Sequence, residues 1–262
     1  MHKIILLFLL LILTTSATQA EQLTLLKQLK KSSRQQVIEV IDGNTVILKD
    51  QTYVRLVGIQ TPKLPLSRKK RTEWPLAAEA QKRLSDLILN RYATLYFGGQ
   101  KADRYGRALA HLVREDGVWI QGEMLKNGLA QVFTFPDNNA VVPEMMALEM
   151  TARQKKRGIW ALDYYQPKDH QMSGPHRNSF QLVTGIPRNV TKVRGTYYVN
   201  FGDNWRKDFT IVIKSRAARK FIKSGIPPES LKGKKIEVRG WLKSYNGPMI
   251  EATHPEQITI TQ

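Results

Sequence analysis

The sequence predicts an α+β protein, mainly β with helices: an N-terminal five-stranded barrel of the OB type followed by a second, smaller OB-like barrel. Three observations predict it. Short runs of β-branched and aromatic residues bounded by turn residues recur in both halves. An amphipathic helical pattern interrupts the strands in each half. Between them, residues 163–180 are rich in Pro, Gly, His, Ser and Lys with little apolar periodicity, the composition of a linker. The expected organisation is a signal peptide at 1–20, a basic segment at 21–34, the first domain at 35–162, the linker at 163–180 and the second domain at 181–262.

Residues 1–20 begin with His2 and Lys3, continue as an apolar run over 4–13 and end in small residues at Ala20, the pattern of a secretory signal peptide. An uncleaved anchor is the other reading, although the apolar run is too short to span a bilayer as a helix. Export to the periplasm or beyond is therefore expected. The chain contains no cysteine, so disulfides, cysteine-type zinc sites and cysteine-linked lipid are excluded. His2, His111, His170, His176 and His254 show no metal-ligand spacing, and no metal or other cofactor is expected. Lys and Arg number 41 against 22 Asp and Glu, a formal charge of +19. That excess attracts polyanions, whether nucleic acid, anionic lipid or lipopolysaccharide, and charge alone does not choose among them.

Strands are expected over 36–41, 45–48 and 53–57, separated by the turns at Asp42-Gly43-Asn44 and Lys49-Asp50-Gln51. The basic run Arg68-Lys69-Lys70-Arg71 then leads to Trp74-Pro75, where proline at the first helical position opens a helix running to about residue 89. Leu76, Ala80, Leu84, Leu87 and Ile88 share one face of it. Two more strands near 93–97 and 108–113, and helices near 121–127 and 142–157, complete the first domain, with Trp160 as a core plug. Five strands with one interposed helix fit a Greek-key barrel. In the second domain strands are expected at 196–201, 209–213, 236–242 and 257–261, with a helix at 215–224 and a turn at Asn246-Gly247-Pro248.

The most informative stretch is Asp42-Gly43-Asn44-Thr45, followed by Arg55 and by Gly58-Ile59-Gln60-Thr61-Pro62-Lys63. Downstream come Asp103-Arg104-Tyr105-Gly106-Arg107, Asn127-Gly128-Leu129-Ala130-Gln131-Val132 and Gly158-Ile159-Trp160. In this order and spacing, over roughly 35–161, the chain resembles the staphylococcal nuclease-like family. The resemblance implies an OB-type barrel and a site for phosphodiester cleavage. It also carries roles over by position: calcium ligands onto Asn44, Gln60 and the Thr61 carbonyl, the outer shell onto Asp42, the water-activating glutamate onto Lys63, and the phosphate-holding arginines onto Arg55 and Arg107. Only Thr61 and the two arginines keep the family's residue type among the ligand, base and arginine positions.

Calcium takes several oxygens, with carboxylates dominating its affinity. Two amides and a lysine in place of three acids move the local charge by four units toward positive. At about 4 Å and an effective dielectric near 20 a unit pair is worth about 4 kcal/mol, so Lys63 facing a divalent ion opposes it by about 8 kcal/mol before screening. The same residues suit an anion: Arg55, Lys63 and Arg107 as a cationic cup for phosphate. Against this stands a reading in which Arg55 pairs with Asp42 or Glu79 and Lys63 points to solvent. The expected function is binding of nucleic acid or another phosphate-bearing polyanion with the calcium-dependent cleavage lost. An active nuclease is the first alternative, using Lys63 as general base or metal substitute, or Glu73 or Glu79 as a replacement acid. A structural envelope protein that binds anionic lipid or lipopolysaccharide is the second.

Further nucleic-acid candidates are Arg68, Lys69, Lys70 and Arg71, which suit tracking a phosphate backbone or form a solvated run. In the second domain Tyr197, Tyr198, Trp205, Trp241 and Tyr245 interleave with Arg194, Arg206, Lys207, Arg239 and Lys243. On an OB surface that pattern suits base stacking, with barrel core as the alternative for any one aromatic.

Overall fold

The computed structural model describes residues 26, 28–64 and 74–261. It separates into two compact units, one reaching Val132 and resuming over Asp137–Ala161, the other made of Phe133–Pro136 and Leu162–Gln262. The expected signal peptide, the run Arg68 to Arg71 and Glu73 lie outside the described residues. Among the described residues no helix is long and apolar enough to cross a membrane.

The first unit is a closed barrel of β1 (Lys30–Asp42), β2 (Thr45–Leu48), β3 (Tyr53–Leu56), β6 (Ala108–Arg114) and β5 (Tyr92–Phe97), in that order around the barrel. Closure depends on the length of β1. Its first half pairs antiparallel with β5, from Lys30 opposite Phe97 to Gln36 opposite Tyr92. Its second half pairs with β2, from Val37 opposite Leu48 to Asp42 opposite Thr45. Bulges in both ladders bend the strand between its two partners. β1 thus starts at Lys30, six residues before the expected strand, because the basic residues ahead of Gln36 are half of a barrel strand and show no apolar alternation. β3 and β6 run parallel, with Arg55 opposite Leu109.

Val37, Val46, Leu48, Val54, Leu56 and Leu112 fill the barrel at 1% exposure or less, each contributing about 1.5–3 kcal/mol. Helix α1 (Ala77–Ile88) lays Ala80, Leu84, Leu87 and Ile88 on this core. It begins at Ala77 and not at Pro75, because Leu76 is left-handed at φ 66° and moves the helix start two residues later. Helices α2 (Ile120–Lys126) and α3 (Val142–Gln154) follow, and Trp160 is buried as expected beneath the Arg153 guanidinium, 5.0 Å from its ring. Gly128 and Gly158 meet backbone to backbone at φ 66° and 52°. A Cβ on Gly158 would stand 2.2 Å from the Gly128 carbonyl oxygen, so only glycine fits there.

The second unit has the same connectivity. Its sheet runs β10 (Asn189–Val193), β11 (Thr196–Asn200), β12 (Thr210–Ile213), β14 (Gly247–Glu251), β13 (Ile236–Tyr245), β9 (Ser179–Gly185), β8 (Lys168–Asp169), with β15 (Ile258–Ile260) also on β13. Residues 186–188 join β9 to β10, so the two act as one bent strand, broken where Pro187 has no N–H for a ladder. That composite strand pairs with β11 at one end and β13 at the other, as β1 does with β2 and β5. β12 runs parallel to β14, as β3 does to β6, and helix α4 (Ser215–Lys223) occupies the place of α1. The α+β fold with two OB-type barrels is what the sequence predicts. The strands β9, β10 and β14 are additions to that expectation, and residues 163–180 hold short 3-10 turns and β8.

Candidate functional site

The site is assembled by the turn between β1 and β2 and by the chain that leaves β3. Asp42 Oδ1 accepts the Asn44 backbone N–H at 2.9 Å, an Asx turn that fixes both side chains. Gly43 between them presses on the next segment: a Cβ there would lie 2.8 Å from Thr61 Oγ1 and 2.9 Å from Ala80 Cβ. β4 (Gly58–Gln60), paired with β7 (Gln131–Phe133), carries the chain to Lys63.

Lys63 does not point to solvent. Its Nζ donates to Asp42 Oδ2 and to Asn44 Oδ1, both at 2.7 Å. Asn44 is fully buried and its Nδ2 donates to the Ile59 carbonyl at 3.3 Å. That carbonyl also accepts from Arg55 NH2 at 2.9 Å, and Arg55 NH1 reaches the Leu56 carbonyl at 3.2 Å. Arg55 NH2 stands 3.5 Å from Gln60 Oε1, and Gln60 Nε2 donates to the Thr61 carbonyl at 2.8 Å. A single hydrogen-bonded network therefore runs from Asp42 through Lys63, Asn44 and Arg55 to Gln60 and Thr61.

The alternative pairing of Arg55 with Asp42 or Glu79 does not occur through a hydrogen bond: Arg55 is held by carbonyls, and Glu79 lies on the exposed side of α1. Arg107 is tied by Nε and NH2 to Asp103 Oδ2 at 2.8 and 2.7 Å, with the Tyr105 ring 5.6 Å from its guanidinium carbon. Asp103 is the site residue that sequence reasoning named without a role. Its place four residues before Arg107, in a turn it closes through the Tyr105 and Arg107 N–H groups, is the signal that identifies it.

Three cations share this region. Burial pushes the Lys63 ammonium down to about 8, helped by Arg55 and Arg107 and opposed by Asp42. Burial also lowers Arg55 to about 10, with Asp42 and Asp103 opposing and Arg107 adding to the shift. Burial acts to raise Asp42, yet Lys63, the Asn44 N–H and Arg55 together hold it below the usual carboxylate range.

A guanidinium has five N–H groups and an ammonium three. Among the described residues Arg55 commits three, Arg107 two and Lys63 two, which leaves each cation with at least one donor for an anion. The residues do not fit calcium. The Asn44 oxygen and one Asp42 oxygen already hold an ammonium, the Thr61 carbonyl is taken by Gln60, and the Gln60 oxygen faces Arg55.

The family model described as Staphylococcal nuclease homologue matches residues 53–162, a span that includes Arg55, Gln60, Thr61, Lys63 and Arg107 and begins downstream of Asp42 and Asn44. An uncharacterized endonuclease of Escherichia coli O157:H7 is 31% identical over 130 residues, covering 48% of this chain and 76% of the relative. The chain belongs to the staphylococcal nuclease family. A thermonuclease of Staphylococcus hyicus is 31% identical over 134 residues, 48% of this chain and 75% of its own length. Endonuclease YncB of Bacillus subtilis is 31% identical over 146 residues, 53% and 67% respectively.

In the second unit of this family member, Tyr197 is core at 3% exposure, and Arg239 is buried at 2% beside Glu237, 3.3 Å away. Neither serves a surface groove: Tyr197 is turned into the barrel core, and Arg239, on the face of β13 opposite Val238 and Leu242, is buried together with Glu237. Trp205 and Tyr245 line one cleft, while Trp241, although 42% exposed, lies outside it.

Proposed function

We propose that this protein is an exported member of the nuclease family that binds nucleic acid, or another phosphate-bearing polyanion, and has lost calcium-dependent phosphodiester cleavage. The observation that carries the reading is the Lys63 ammonium seated 2.7 Å from both Asp42 Oδ2 and Asn44 Oδ1. A fixed internal cation there leaves no charge demand for a divalent ion, and it adds to Arg55 and Arg107 a third positive group for phosphate. Family membership and the formal charge of +19 support a nucleic-acid ligand. The pattern of residues 1–20 supports export.

The test is paired. Purified protein should bind DNA or RNA with an affinity that falls steeply as salt rises, and should show no cleavage with calcium, magnesium, manganese or chelator. Calcium-stimulated cleavage overturns the loss of activity, and tight binding to lipopolysaccharide with none to nucleic acid at low salt favours the envelope alternative. One observation favours a metal-independent nuclease as second reading: Lys63 has a side chain 32% exposed and its ammonium lowered to about 8, within reach of general-base work. Cleavage that persists in chelator and is lost in Lys63→Met would establish it.

A further inference from the structure

The second unit carries a cleft of about 480 Å³ on the outer face of its barrel. Strand alternation builds the floor. Tyr197, Val199, Ile211 and Ile213 belong to the core, so Tyr198, Asn200, Thr210 and Val212 between and beside them face outward. Register aligns these into rows: Tyr198 lies opposite Thr191 and Val212, and Asn200 opposite Thr210, which pairs with Met249. Walls rise from two other places, Trp205 in the loop between β11 and β12, and Tyr245 with Asn246 at the hairpin between β13 and β14.

The chemistry of this lining is specific. Tyr198, Trp205 and Tyr245 enter from three separate elements, and Trp205 and Tyr245 are 53% and 66% exposed. Among the described residues no charged side chain lines the cleft; its polar groups are the neutral Thr191, Asn200, Thr210 and Asn246 along with the tyrosines. Thr210 Oγ1 donates to Asn200 Oδ1 at 3.1 Å, which commits the amide oxygen of a buried residue and leaves its NH2 as a donor. Cations stand outside the lining. The Arg206 guanidinium lies 4.7 Å over the Trp205 ring, Arg194 follows Val193, and Lys243 stands opposite the lining residue Met249. Residues 162–262 hold 17 Lys and Arg against eight Asp and Glu.

A neutral floor of aromatic and amide groups inside a cationic rim suits a polymer with flat, hydrogen-bonding rings and its charge on the backbone. Unpaired bases are such rings, whereas a duplex hides their faces in its own stack. A free phosphate or an anionic headgroup would find no cation on the floor.

We propose that this cleft binds the unpaired bases of a single-stranded nucleic acid, stacked against Trp205 and Tyr245 with a base edge meeting Asn200. The second unit is then a strand-holding module in its own right. The inference deepens the nucleic-acid reading above and rests on it for the class of partner.

The test is fluorescence anisotropy of the full chain with three probes at one salt concentration: an oligothymidylate, an abasic oligomer of equal length and charge, and a duplex of that length. The wild-type protein should prefer the thymidylate over the abasic strand by about tenfold or more, the scale of one or two stacked bases. Trp205→Ala with Tyr245→Ala should erase that preference while abasic and duplex affinities stay within about twofold. Trp205→Phe should keep most of the preference and Trp241→Ala all of it, and both variants guard against loss of fold as the cause. Equal wild-type affinity for thymidylate and abasic strands, or a preference that survives in the double variant, overturns the cleft. A wild-type protein that binds none of the three probes at low salt overturns the nucleic-acid reading itself.

Discussion

Lys63 Nζ lies 2.7 Å from Asp42 Oδ2, and this contact makes the lysine part of the site's frame as well as a charge at its mouth. With side chains 32% and 19% exposed, the pair is neither a solvated surface bridge nor a sealed core pair. It retains one ammonium hydrogen for a ligand while the carboxylate sets where that hydrogen points.

Restoring the acids tests that replacement. The triple variant Asn44→Asp, Gln60→Asp, Lys63→Glu should acquire calcium affinity measurable by titration calorimetry and a melting temperature that rises with calcium, since a ligand of the native state alone stabilises it. The natural sequence should show neither. Lys63→Glu alone places a second carboxylate beside Asp42 with no cation between them, so it should melt lower than wild type without calcium and recover only partly with it. A calcium-dependent melting shift in the natural protein at millimolar calcium would refute the misfit.

The two arginines should separate in their effects. Arg55→Ala leaves the Leu56 and Ile59 carbonyls short of a donor, so it should cost about 1–3 kcal/mol of stability in urea unfolding as well as phosphate-ligand affinity. Arg107→Ala removes an ion pair whose side chains are 33% and 18% exposed, and its stability cost should stay within about 1 kcal/mol. Its loss of phosphate-ligand affinity should nonetheless resemble that of Arg55→Ala. Unchanged binding in both variants would move the functional site elsewhere.

Affinity for a phosphate ligand should fall as pH rises through about 8, because the Lys63 ammonium, lowered by burial and its arginine neighbours, gives up its proton there. The sign is opposite to general-base cleavage, which would rise through the same pH. Lys63→Arg should move the fall in affinity to higher pH. A binding profile flat from pH 6.5 to 9.5 would exclude Lys63 from the phosphate site.

Acid should destabilise both units through buried histidines. Burial lowers His111 to about 3, and burial with Lys220 lowers His254 to about 4. Both folded values lie below the unfolded one near 6.5, so the unfolded chain binds more protons and stability falls as pH drops below about 6.5. At pH 5 each histidine should cost about 2 kcal/mol relative to pH 7. His254 accepts its place through Thr134 Oγ1 at 2.7 Å and Thr253 Oγ1 at 3.0 Å. His254→Gln should therefore flatten the pH dependence of the second unit's unfolding, and an unchanged slope would refute the assignment.

By itself the sequence determined the α+β class and the succession of the barrel strands along the chain, and its resemblance to the family singled out the candidate positions Asp42, Asn44, Arg55, Gln60, Thr61, Lys63 and Arg107. Those features are local: a turn with Asp and Gly, a β-branched run and an arginine at fixed spacing are written in neighbouring residues. Strands β9, β10 and β14 were less legible, since β10 is largely exposed and polar and β14 begins with Gly-Pro, so their strand character comes from ladder partners and not from their own pattern. The tertiary structure alone decided what Lys63 touches, because Asp42 and Asn44 are 21 and 19 residues away along the chain and reach it only through the β1–β2 turn and the course of β4. It alone decided which aromatics of the second unit work together. Register sets Tyr198 beside Thr191 and Val212, and the β11–β12 loop and the β13–β14 hairpin bring Trp205 and Tyr245 to the same cleft while Trp241 stays out of it; pairing and loop placement are properties of several elements together, which no single stretch of sequence contains.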